Sequence, residues 1–112
     1  MSKVSARTYS RHSKEAIRLL ALLIRTGRKE LEMTSQEVAD RAGISRGLLQ
    51  RMEKGDPRCE LGATIEVASI VGVKLFDVES TSLSKNIRQA EEKLTLLPKS
   101  VRKKAKAIDE DF

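Results

Sequence analysis

Arg46, Gln50 and Arg51 stand close together in a stretch with few other chemically capable groups. Carried on one helix, such side chains make a face that is short, polar and able to reach base edges. Major-groove recognition uses that chemistry, in which guanidinium and amide groups hydrogen-bond to the edges of bases. Other chemistries lack their parts. His12 is the only histidine and Cys59 the only cysteine, and they lie far apart in sequence, so they build neither a triad nor a metal cluster. The carboxylates are scattered over helix surfaces, and no Gly-rich phosphate loop is present. The chain is therefore not expected to be an enzyme or to need a cofactor or metal.

Two short helices must position these groups. In residues 34–55, TSQEVADRAGISRGLLQRMEKG, Thr34 can cap the first helix and Glu37 can complete a capping box. Val38 and small Ala39 supply its buried face. Gly43 can end it in the left-handed conformation, and Ile44 plugs the corner. Ser45 caps the second helix, Leu49 and Met52 point inward, and Gly55 and Pro57 stop it. Arg46, Gly47, Gln50 and Arg51 remain on its outer face. Glu53 is expected to be a structural partner for Arg28 or Arg41. A generic helical hairpin shares some of this pattern, and the complete order of cap, Ala, Gly, Ile, Ser and Glu-Lys-Gly argues against it.

A chain of 112 residues makes one small domain plus extensions. Aromatics are only 3% (Tyr9, Phe76 and Phe112), so Leu, Ile, Val, Ala and Met must form the core, as in a helical bundle. The apolar stretch Ile17 to Ile24 is too short to cross a bilayer, and no cleavable signal is visible. The lone Cys59 fits a reducing cytoplasm and a structural thiol. The net charge of +6 is uneven: residues 1–32 carry eight Lys and Arg against three acids, residues 33–80 six against eight, and residues 81–112 eight against five. The phosphate-attracting charge thus lies in the flanks. Residues 1–12 read as a basic arm for a DNA backbone or minor groove, or as a solvated tail.

Residues 13–79 read as the DNA-binding bundle. Its first helix is expected from about Ser13 to Met33, with Ile17, Leu20, Ile24 and Leu31 on one face and Leu19 and Leu23 broadening it. Gly27 weakens the expectation of an unbroken rod. A later helix is expected from Leu61 to Val71, burying Ile65 and Ala68, with Val71 a further candidate; the segment Val73 to Val78 reads as helical turn or extended chain. Residues 80–112 form an extension. There Ser80 to Ser84 read as a polar hinge, Ile87, Ala90, Leu94 and Leu97 recur at helical spacing, and Pro98 can open another helix. Val101, Ala105 and Ile108 continue the stripe towards Phe112. Such a stripe calls for cover by the body of the protein, a second copy or another partner.

The stretch 34–55 and its surroundings, over roughly residues 14–78, resemble the Xre/Cro family of phage-repressor-type DNA-binding domains. The segments Leu61 to Ala68, Val71 to Phe76 and Leu96 to Phe112 look like HipB-type antitoxins, Xre-family repressors that accompany HipA-like serine/threonine kinase toxins. The resemblance implies an all-α fold: a compact four- or five-helix Xre/Cro-type bundle with a C-terminal amphipathic helical extension. It also implies a cytoplasmic homodimer on a palindromic operator that neutralises the kinase and represses the shared operon. By position, Ser45, Arg46, Gln50 and Arg51 become the base-contact candidates, with Arg46 foremost because its planar fork matches guanine O6 and N7. Ser35, Gln36, Lys54 and Arg58 become phosphate contacts. Gly47 would permit close approach, and Leu48 would touch a thymine methyl or belong to the core. Leu94, Leu97, Val101, Ile108 and Phe112 become partner contacts. The alternatives are a stand-alone repressor, or an interaction module that does not bind DNA.

Overall fold

The computed structural model describes residues 8–76 and 80–103. Among them are five helices and no strand: α1 (Arg11–Glu30), α2 (Ser35–Ala42), α3 (Arg46–Glu53), α4 (Leu61–Ile70) and α5 (Ser80–Thr95). The all-α expectation is met. The chain divides into two compact units, Met1–Phe76 and Asp77–Phe112.

In the first unit, α1 starts before Ser13 because Ser10 caps it, its Oγ accepting the Ser13 N–H at 3.1 Å. His12 therefore lies on a helix rather than in an arm. The helix ends at Glu30, short of Met33. Glu32 closes it with φ 57°, while the Met33 N–H donates to the Arg28 carbonyl at 3.1 Å and the Glu32 N–H to Lys29 at 3.0 Å. This is the six-to-one and five-to-two closure usually built on glycine. Only a narrow stripe of α1 is covered. Ala21 and Ile24 are buried and Ile17 and Leu20 half-buried, whereas Leu19, Leu23 and Leu31 of the predicted face are exposed. Gly27 does not interrupt the helix. A Cβ there would lie 2.5 Å from the Val71 carbonyl oxygen, so glycine lets the end of α4 approach.

The core joins Ile24, Val38, Ala39, Leu49, Met52, Val67, Ala68 and Val71, drawn from α1 to α4 and the end of α4. Leu48 and Cys59 pack against it half-buried. Ile65, which the sequence pattern places inside, is 40% exposed because α4 turns Val67, Ala68 and Val71 inward instead. After α4 the described chain to Phe76 is a turn and bends without helix, with Val73 packed on the core; Val78 lies outside the described residues. A largely buried ion pair braces the unit. The Arg28 Nε and Nη2 donate to Glu53 at 2.6 and 3.0 Å, and Nη1 donates to the Met33 carbonyl at 3.0 Å. One guanidinium thereby ties α1, the turn before α2 and the end of α3. Glu53 is the structural partner expected, and Arg28 rather than Arg41 is its mate. The hydrogen bonds it donates to Glu53 hold the Arg28 guanidinium charged, its pKa raised despite burial.

In the second unit, α5 begins at Ser80, so the expected hinge at Ser80–Ser84 is helix. Serines are tolerated in a first turn, where backbone N–H groups have no carbonyl partners. Leu83, Ile87, Leu94, Leu97 and Val101 are all exposed, from 38% to 85%. The helix gives way to a turn at Leu96 and Leu97, and no new helix follows Pro98 up to residue 103. Ala105, Ile108 and Phe112 lie outside the described residues.

Candidate nucleic-acid interface

Two capped helices and a glycine corner set the geometry. Thr34 Oγ1 accepts the Glu37 N–H at 3.0 Å while Glu37 Oε1 accepts the Thr34 N–H at 2.8 Å, so the capping box is complete. At the far end of α2, Gly43 sits at φ 71°, and the Ile44 N–H returns to the Ala39 carbonyl at 3.0 Å. A side chain at this φ would cost about 1 kcal/mol or more. The turn is followed at once by Ser45, whose Oγ accepts the Leu48 N–H at 3.0 Å and starts α3.

The α3 helix turns Leu49 and Met52 into the core and Leu48 partly so, which assigns Leu48 to packing. Arg46, Gly47, Gln50, Arg51 and Lys54 are left on the exposed side. Arg46 makes no ion pair or side-chain hydrogen bond among the described residues, so its five donors face solvent. A Cβ on Gly47 would meet only Ser45 Oγ, at 3.9 Å, so this position is open outward. The structure brings Arg46, Gln50 and Arg51 onto one short helix. Ser45 lies at its cap, and its hydroxyl is engaged as the capping acceptor.

The flanking candidates differ among themselves. Ser35 is half-buried at the first turn of α2. Gln36 is exposed, but its Nε2 donates to Asp40 Oδ1 at 2.8 Å. Lys54 is exposed beyond the last turn of α3. Arg58 is also exposed and is tied to Asp56, which escaped sequence reasoning. Asp56 Oδ1 accepts the Arg58 N–H at 2.9 Å and Nε at 3.2 Å, and Oδ2 accepts Nη2 at 3.4 Å. Those Arg58 hydrogen bonds hold the Asp56 carboxyl below its ordinary pKa. An Asp two residues before an Arg, just after a glycine stop, is the local signal that could have found it. Next door, burial pushes the Cys59 thiol up, as befits a protonated packing residue. At the start of the described chain, Thr8 and Tyr9 line a groove of about 320 Å³ with Lys14, Ile17, Gly55 and Pro57. Thr8 and Tyr9 thus lie beside the turn that follows α3.

Among the described residues no group of three or more His, Cys, Asp or Glu side chains could hold a metal, and no helix is long and apolar enough to cross a membrane. Comparison with curated proteins and with solved structures finds no match. Comparison with protein families matches one, the helix-turn-helix, over residues 24–59. The matched span runs from the buried Ile24 of α1 through both capped helices to Cys59. Residues 24–59 accordingly match the helix-turn-helix family, whose Xre/Cro-type domains are DNA-binding modules.

Proposed function

We propose that this chain is a sequence-specific transcriptional repressor that enters the major groove with α3. The observation that carries the proposal is the division of that helix. Leu49 and Met52 are committed to the core while Arg46, Gln50 and Arg51 face outward. Arg46 is the base reader, Gln50 and Arg51 contact neighbouring bases or backbone, and Ser45 approaches from the cap. Ser35, Gln36, Lys54 and Arg58 line the phosphates. Of these, Gln36 must first release Asp40 or bind through its remaining amide hydrogen. The test is Arg46→Ala against a selected operator and random DNA. Discrimination should fall by about 1–3 kcal/mol per lost bidentate contact. Equal weakening on both DNAs would remove Arg46 from that role.

The finer reading is an antitoxin: a homodimer on a palindromic operator whose extension captures a HipA-like kinase. Its support is the resemblance of the sequence together with the stripe on and after α5, where Leu94, Leu97 and Val101 are exposed at 69%, 53% and 85%. Surfaces of this kind mark protein contacts more often than isolated exposed leucines do. Ile108 and Phe112 would extend the stripe. Replacing Leu94 and Leu97 by Asp should abolish inhibition of the kinase without loss of the fold of residues 8–76. Retained inhibition would move the contact to the bundle. The acid excess of residues 33–80 favours one rival, an interaction module without DNA binding. A wild-type protein that shows no salt-dependent duplex binding would establish that rival.

A further inference from the structure

Gly55, at φ 83°, reverses the chain after α3 and brings Asp56 back onto the helix it follows. The Asp56 N–H donates to the Arg51 carbonyl at 3.0 Å, and its Oδ2 lies 4.0 Å from Arg51 Nε. The other flank of the carboxylate is taken by Arg58, through the main-chain and guanidinium bonds given above. Asp56 is recessed, its side chain 13% exposed, between two arginines exposed at 56% and 61%. A free acid at the end of a groove-entering helix would repel phosphate. This one is covered by two cations, and the cluster presents guanidinium edges outward with a net charge of +1.

We propose that Asp56 is a positioning residue, holding Arg51 and Arg58 as a two-arginine phosphate clamp at the end of α3. The proposal rests on the DNA-binding reading. Arg58 spends Nε and Nη2 on Asp56 and keeps Nη1 and the outer edge of its fork for an anion. A long side chain already restrained loses less freedom when it meets phosphate. Simple charge counting makes the opposite claim, that deleting an acid near the duplex tightens binding.

The signs therefore separate the two ideas in the full-length chain, titrated with a labelled random-sequence duplex over a range of salt. Asp56→Ala is expected to weaken binding about fivefold and to lower the salt slope by about 1–2 as one or two phosphate contacts loosen. Asp56→Asn keeps an oxygen for the Arg58 N–H and should recover part of the affinity. Arg58→Ala should cost less in the Asp56→Ala background than alone. If Asp56→Ala fails to fold, the same cycle is run on Asp56→Asn and Arg58→Ala. Non-additivity supports the clamp and strict additivity overturns it. Binding equal to or tighter than wild type in Asp56→Ala, with the slope unchanged or steeper, also overturns it. A wild-type chain that does not bind the duplex overturns the DNA-binding reading itself and the clamp with it.

Discussion

Both α3 and α5 are amphipathic, and the structure treats them in opposite ways. The apolar side of α3 is spent: Leu49 and Met52 are buried, and what faces out is Arg46, Gln50 and Arg51. Within its own unit α5 finds no cover for its apolar positions, Leu83, Ile87 and Leu94, which are exposed. An amphipathic pattern therefore says that a helix has two different faces, not which one is covered by its own chain. A helix whose apolar face is satisfied offers its polar face for function. One whose apolar face is open offers that face.

The sharpest way to break this contrast is to truncate both stripes. Leu49→Ala removes a fully buried side chain and should cost about 3 kcal/mol in denaturant unfolding, whereas Leu94→Ala should cost under about 0.5 kcal/mol. Equal losses would show that the α5 stripe is covered after all. Next in size is Glu53→Ala, which strands the Arg28 guanidinium among α1, α2 and α3. About 3 kcal/mol is expected, judged by the same unfolding experiment, and Arg28→Ala should cost a similar amount.

Two glycine substitutions sharpen the comparison at smaller magnitude. By helix propensity alone, Gly27→Ala and Gly47→Ala should each stabilise by up to about 1 kcal/mol. Contact with Val71 should reverse the sign at Gly27, to a loss of about 2 kcal/mol, while open Gly47 keeps its gain. A lower midpoint for the first and a higher one for the second are the expected thermal shifts.

Smallest is the pH effect of Asp56. Its carboxyl titrates below the ordinary 3.8 in the folded chain, so its ionised form stabilises the fold. That contribution is complete above the unfolded value and is lost as pH falls through the lower folded one. The stability difference between wild type and Asp56→Asn should be flat near neutrality and vanish in acid. A difference that grows on acidification would contradict the sign.

Much of the first unit was legible because its signals are local. The Thr34–Glu37 box, the Gly43 corner, the Ser45 cap and the inward Leu49 and Met52 each depend on residues three or four apart. The sequence offers Arg28 and Arg41 as partners of Glu53, and the fold selects Arg28. The residue order misleads where burial is decided between distant segments. Leu19, Leu23 and Leu31 share a face with Ile24 by periodicity, yet only part of that face meets α3. Periodicity likewise places Ile65 inside, where the fold leaves it 40% exposed. Composition alone suggests a hinge at Ser80–Ser84, and helix runs through it.

The capped helices, their turns and the polar outer face of α3 follow from the residue order by itself, because capping and backbone conformation are settled within a turn or two of chain. Which leucines are covered, why Gly27 must be glycine, and how Asp56 is placed between Arg51 and Arg58 were decided by the tertiary structure. Burial and ion pairing depend on distances between segments far apart in sequence, and periodicity within one helix carries no record of those distances.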